Sequence, residues 1–229
     1  MQIVLRHSNT DYADYWDNKK PKAIIEYNGR YLPLTKRKLA VPVQLFITPN
    51  DPIIVADIRS NNLEISNFKD INTAILSIFR VLSSRIKYKS DTDSFGVPEV
   101  WLFQFELRKI GCGDCEEYSH QLVSYLIAAG VPRYRVREVC GLTYNNFGHS
   151  TVYVLGDDNK TWYHLEATRT NVHETTLTQL PTSKSSDDLY GISDVWFSFN
   201  DINAYHLFET DKSAKAFDEE CRNIIIKEI

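Results

Sequence analysis

The segment Gly111-Cys-Gly-Asp-Cys-Glu-Glu-Tyr-Ser-His120 puts a thiol where a helix should begin. Asp114 is a good N-cap, and Glu117 three residues later completes a capping box. Cys115 therefore falls in the first turn, where unpaired backbone N–H groups and the positive end of the helix dipole favour a thiolate over a thiol. A thiolate can attack a carbonyl carbon, and the same N–H groups can hold the oxyanion that the attack creates. The adjacent acids oppose thiolate formation, so this chemistry needs a partner base. A lone cysteine at a helix start is otherwise read as a core residue. The Gly-Asp-Cys context and two residues downstream favour a nucleophile.

Those residues are His149 and Glu166. The runs 149–155 and 161–167 alternate as strands do, and they flank the turn signal Gly156-Asp-Asp-Asn159. A turn centred between Asp157 and Asp158 pairs Leu155 with Lys160, Tyr153 with Trp162, Thr151 with His164, and His149 with Glu166. Directly opposed residues have Cβ atoms about 4.5–5.5 Å apart, close enough for a carboxylate to orient an imidazole. That would fix the ring tautomer and support its positive charge, the third role in a nucleophile–base–acid triad. His164 is the rival base, with Thr151 as its expected neighbour. His120 lies on the nucleophile's helix and reads as a surface or packing residue, while His7, His173 and His206 have no acid or thiol context.

The elements that must position these groups follow from periodicity. Residues 1–60 read as β-rich, with strands at 22–27, 41–48 and 53–57 separated by Asn28-Gly29 and Asn50-Asp51-Pro52. Ile71, Ile75, Ile78, Leu82 and Ile86 recur at helical spacing, with Asn67 and Asp70 at the start. A second helix is expected from Pro98 to a stop at Gly111. A third runs from Cys115 to about Ala129, its apolar face formed by Tyr118, Leu122, Tyr125, Leu126 and Ala129, and Gly130 and Pro132 end it. Strands follow at 134–139, 149–155 and 161–167. Residues 170–195 read as a long loop, Ser198 to Ile202 as a segment closing the core, and 211–229 as a terminal helix. This predicts three parts: a β-rich annex over 1–60, a catalytic core over 61–210, and the helix over 211–229.

The order of these features resembles the transglutaminase-like superfamily, and within it the bacterial transglutaminase-like cysteine proteinases. Gly113-Asp-Cys-Glu-Glu-Tyr-Ser is similar to that family's Gly-Asp-Cys-Glu-Asp-Tyr-Ala signature. Val97-Pro-Glu-Val-Trp-Leu-Phe-Gln-Phe-Glu resembles the segment before it, Leu126-Ile-Ala-Ala-Gly-Val-Pro132 the helix end, Gly148-His-Ser-Thr-Val-Tyr the histidine strand, and Trp162-Tyr-His-Leu-Glu-Ala-Thr168 the acid strand. The likeness covers roughly residues 65–170. It implies an α+β, papain-like core in which a helix bearing the cysteine packs on an antiparallel sheet bearing the histidine and the acid. By the same resemblance Cys115 is the nucleophile, His149 the base and Glu166 the orienting acid, where the family usually has aspartate or asparagine. The oxyanion and substrate contacts fall to Cys115 N–H, Trp101, Gly113 and Asp114. The implied reaction is hydrolysis of an amide in a protein or peptide, or acyl transfer, without a cofactor or metal.

A length of 229 residues suits one large domain, and 43% hydrophobic with 24% charged residues is an ordinary globular balance. A net charge of −4 gives no electrostatic reason to expect nucleic acid. The apolar run at the amino terminus is too short for a signal-peptide core, and no stretch is long enough to span a bilayer, so a cytoplasmic protein is expected. Three other readings stay open. Cys112-Gly-Asp-Cys115 has the spacing of a redox motif, although that fold wants a strand before it, and Cys112, Cys115, Cys140 and a histidine could bind zinc. A transglutaminase-like fold can also serve as a structural or interaction component, for example in a bacteriophage particle, docking through the N-terminal annex.

Overall fold

The structure is a computed structural model that describes residues 22–27, 37–96 and 99–206. The expected helix at 211–229, Pro98, Cys221 and the first 21 residues lie outside the described residues. Strands β1 (Lys22–Tyr27) and β2 (Arg37–Pro42) pair antiparallel as a separate two-stranded sheet. The strands expected at 41–48 and 53–57 are corrected. Val43–Phe46 is a 3-10 turn and Pro52–Ser60 is helix α1. Asp51 caps α1 by accepting from the Ile53 N–H at 2.8 Å, and Pro52 occupies the first turn. The β-branched residues of this stretch lose to a good helix start and to the burial of Ile54 and Ile58.

Helix α2 (Ile71–Ser83) is capped by Asp70, which accepts from the Thr73 N–H at 2.8 Å. Helix α3 (Asp91–Phe95) is short, and helix α4 begins at Gln104, later than expected, and runs to Ile110. Gly111 ends it in the left-handed region at φ 81°. Helix α5 (Cys115–Ala128) then starts at the expected residue, with the Glu117 carboxylate accepting from the Asp114 N–H at 3.1 Å.

Five antiparallel strands form the main sheet in the order β5-β4-β3-β6-β7. They are β3 (Val136–Thr143), β4 (Gly148–Leu155), β5 (Trp162–Leu165), β6 (Ile192–Phe199) and β7 (Ala204–His206). The sequence reading missed β6, which lies inside the sheet beside β3. Helix α5 packs on β3 and β4 and against α1, α2 and α4. Its Ser119, His120 and Ser124 are buried along with its apolar residues, so it is a central helix rather than an amphipathic one. The main core includes Phe46, Ile54, Ile75, Phe79, Leu122, Leu126, Val152 and Phe199. A smaller cluster of Val139, Tyr153, Leu155, Trp162, Ile192 and Val195 covers the other sheet face. Among the described residues, no helix is long and apolar enough to cross a membrane.

The segment 170–191 has one 3-10 turn, Leu177–Gln179, and otherwise follows an irregular path. It is tied to β5 by backbone bonds, His164 N–H to Pro181 O (2.8 Å) and Ser183 N–H to Trp162 O (2.9 Å). The free edge of β5 is thereby covered.

Candidate active site

Helix α5, strand β4 and the end of strand β5 bring Cys115, His149 and Glu166 together. His149 Nε2 lies 2.7 Å from Glu166 Oε2, and Cys115 lines the same cavity as the ring and helps to hold its charge. With Nε2 engaged by the carboxylate, Nδ1 is the nitrogen left for the thiol. Glu166 is held in turn by Thr168, whose N–H (2.9 Å) and hydroxyl (2.5 Å) both donate to Oε1.

The hairpin that carries this pair has a different register from the expected one. The ladder runs from Leu155↔Trp162 to Val152↔Leu165, so Tyr153 rather than Thr151 faces His164. The turn centre moves one residue along because Gly156 N–H bonds Thr161 O at 2.8 Å and Asn159 adopts φ 52°. Asp158 fixes it by accepting from the N–H groups of Lys160 (3.0 Å) and Thr161 (2.9 Å). A slip of two residues preserves side-chain parity, so His149 and Glu166 stay on one face of the sheet. They meet as diagonal neighbours, a longer reach that the extra methylene of glutamate supplies.

Charge on the pair follows from its contacts. Burial works against the His149 cation, yet the hydrogen bonds to Cys115 and Glu166 outweigh it and raise the imidazole to about 10. Burial likewise opposes the Glu166 carboxylate, but its bond to His149 prevails and lowers it to about 2. An imidazolium–carboxylate pair is thus in place beside the thiol.

The acids flanking Cys115 are less hostile to a thiolate than their sequence suggests. Glu116 Oε2 lies 3.1 Å from Cys115 Sγ, and burial first, then the neighbouring Cys115 and Glu99, push this carboxyl well above the usual range. Burial does the same to Glu117, whose carboxylate oxygens accept from Leu102 N–H (2.9 Å) and Asp114 N–H. With its carboxyl raised in this way, Glu116 opposes a thiolate less than an ordinary carboxylate would.

A cavity of about 430 Å³ opens on the thiol, lined by Glu99, Trp101, Cys115, Glu116, Cys140, Gly148, His149, Ser150, Trp196 and Phe197. Trp101 is on its wall, but its indole N–H is given to Glu99 at 2.5 Å. Gly113 and Asp114 are not part of that lining. Gly113 packs so tightly that an added Cβ would lie 2.9 Å from Glu117 and from Leu107, and the Asp114 carboxylate accepts from Asp91 N–H at 3.3 Å. Trp196 enters the cavity because β6 carries one extra residue there: Cys140 pairs with Phe197 and Gly141 with Val195. Burial pushes the Cys140 thiol well up, so it is a poor nucleophile. Neither Trp196 nor Glu99 was singled out from sequence. A bulge has no pattern of its own, and Glu99 lies in the segment 97–106 with no role marked by its spacing.

His120 is a packing residue. It is fully buried, stacked 5.1 Å from the Phe46 ring, and burial lowers it to about 3, so it is neutral. The redox reading loses further ground because α4 precedes Cys112, where that fold wants a strand. Carboxylates, in contrast, gather at ligand spacing. Oxygens of Asp91, Glu99 and Glu116, and of Asp91, Asp114 and Glu117, lie within 4.8 Å of one another. Asp114 Oδ1 and Glu116 Oε1 are buried with no hydrogen-bond partner. This is an all-oxygen donor set of the kind that fits a hard divalent cation.

No family model and no curated protein matches the chain. Solved structures do. LapG of Legionella pneumophila aligns at TM-score 0.50 and 17% identity, over 80% of this chain and 95% of that one. Its EGTA-treated form aligns at 0.50 and 16%, over 78% and 95%. A candidate cysteine protease from Cytophaga hutchinsonii aligns at 0.39 and 16%, over 70% and 51%. The likeness to LapG, together with the helix-on-sheet arrangement above, gives this chain an α+β fold with a papain-like, transglutaminase-like core.

Proposed function

We propose that the chain is a cysteine peptidase in which Cys115 is the nucleophile, His149 its proton partner and Glu166 the orienting acid. The observation that carries this reading is the 2.7 Å His149–Glu166 contact, with His149 and Cys115 lining one cavity. The Cys115 thiolate attacks the carbonyl carbon of a peptide amide, and a C–S bond forms as the carbonyl becomes an oxyanion. The Cys115 N–H at the start of α5 is the first donor to that oxyanion. His149, already an imidazolium, gives its proton to the departing amine as the C–N bond breaks, leaving a thioester. Neutral His149 then takes a proton from water, which attacks the thioester and frees the acid. Glu166 keeps the ring aimed throughout. Apolar walls from Trp101, Trp196 and Phe197 favour a peptide with an uncharged side chain beside the scissile bond.

Iodoacetamide alkylation of each cysteine, followed by mass spectrometry, tests the pair. Cys115 should react faster than Cys112 and Cys140 at neutral pH, and slow by about tenfold or more in His149→Ala. The His149 cation is present below its raised value of about 10 and lost as pH rises through it, so the advantage of wild type should vanish there. Cys115 reacting as an ordinary thiol in both proteins would mean an idle triad and a structural or binding role.

We also infer that the acids around Asp91, which gather as Asp91, Glu99 and Glu116 and as Asp91, Asp114 and Glu117, take a calcium ion when one is offered, the ion displacing the protons that burial favours on Glu116 and Glu117. The buried, unpartnered oxygens of Asp114 and Glu116 support this. Bound there, calcium would supply positive charge among the acids that flank the nucleophile. Millimolar calcium should raise the thermal midpoint by several degrees, roughly the effect of 1–2 kcal/mol. Glu116→Gln should cut that shift by more than half, and an equal shift in wild type and variant would place the ion elsewhere.

A further inference from the structure

His164 lies two residues before Glu166 on the same chain segment, and the mechanism above gives it no work. It is 2% exposed, yet both ring nitrogens have partners. Nδ1 is 2.5 Å from Asp188 Oδ2, and Nε2 is 2.7 Å from Thr151 Oγ1. A threonine hydroxyl has one hydrogen, and that of Thr151 goes to the Leu165 carbonyl at 3.2 Å. The assignment that satisfies both contacts has Thr151 accept from the ring and Nε2 carry a hydrogen. Nδ1 faces a carboxylate, which accepts from it as well. Both nitrogens are donors, and a ring with two N–H groups is an imidazolium.

The position of this ring matters because Nε2 is also 3.7 Å from Glu166 Oε2, the oxygen that bonds His149. Asp188, His164, Glu166 and His149 form a row of alternating charge. The other groups facing His164 are Tyr153, stacked at 5.1 Å and 24°, and, across a cavity of about 480 Å³, Arg169 and Tyr190. Arg169 is 2.7 Å from Glu174, so its charge has a partner of its own. Two buried carboxylates on either side of one ring make each other's charge less favourable. A cation between them lets both stay ionised.

We propose that Asp188 holds His164 as an imidazolium and that His164 is a positioning residue for Glu166, keeping its carboxylate charged and aimed at His149. The proposal rests on the reading of Glu166 as the triad acid. It gives the irregular 170–191 segment a function, since Asp188 is the anchor that this segment supplies.

Side-chain NMR on the full chain tests it. In wild type at neutral pH, the His164 ring should show two protonated nitrogens. In His164→Gln, the Glu166 carboxyl midpoint should rise by about one pH unit or more. Turnover should fall about tenfold or more with KM little changed. If His164→Gln fails to fold, Asp188→Asn gives the same test, because it should strip a proton from His164 and lift Glu166. A singly protonated His164 in folded wild type overturns the proposal. So does an unmoved Glu166 in a folded variant. An idle Cys115 in the alkylation test, with both NMR results in place, would sink the peptidase reading and leave His164 as the holder of Glu166.

Discussion

Changing Cys115 to alanine is expected to lower peptide hydrolysis by at least about 10³-fold while leaving the fold intact. The sulfur lines a cavity and its residue is only half-buried, so little packing is lost with it. The capping bond that starts α5 runs between Asp114 and Glu117 and does not involve the thiol. The measurement is turnover of a fluorogenic peptide library alongside a thermal melt. Cys112→Ala is the comparison, because Cys112 lies three residues upstream and outside the cavity lining. It should keep most activity. Equal loss in both variants would favour the redox or zinc reading of the two cysteines over the triad.

The second large effect is expected at a residue with no side chain. Gly141 on β3 pairs with His149 on β4, and on its other side it sits at the bulge of β6. A Cβ there would lie 2.1 Å from the Asp194 carbonyl oxygen and 2.6 Å from Ile192 Cγ2. The first obstacle is backbone, so a rotamer change cannot relieve it. Gly141→Ala must push β6 away from β3 or shift the strand that carries His149. A loss of about 2–4 kcal/mol of stability is expected. Turnover should fall roughly tenfold or more in whatever remains folded, since misplacing the base by an ångström is costly. Urea unfolding read beside the alkylation rate of Cys115 checks both. A variant as stable and as reactive as wild type would mean that β3 and β6 are not this close.

The helix start at Cys115 is the most legible part of the sequence because its signal is local. The N-cap, the capping box and the glycine stop are all within a few residues of Cys115, and α5 begins where they say. The histidine–acid pair was legible only through parity. The turn was centred one residue too early, since Asn159 in the left-handed region and the Asp158 side-chain bonds lengthen its far side. The contact was found because a two-residue slip cannot move a side chain to the other face. Helix α1 was misread for the opposite reason: Asp51-Pro52 was taken as a turn, although the same dipeptide is a good helix start. Strand β6 and Asp188 had no readable signal. The first is bulged and interrupted by serine and aspartate. The second acts on His164 from 24 residues away.

The 170–191 segment carries one further consequence. Its backbone shields the outer strand of the main sheet, and its Asp188 and Tyr190 reach the histidines, Tyr190 sitting 6.0 Å from the His149 ring. Its exposed stretch around Ser186 and Asp187 is the kind of site at which proteases nick a chain. A single cut there would loosen the acid's support and bare the unpaired groups of β5, a template for pairing with another molecule. Loss of function and the onset of self-association would then share one cause, and a cell could retire this protein with one cleavage.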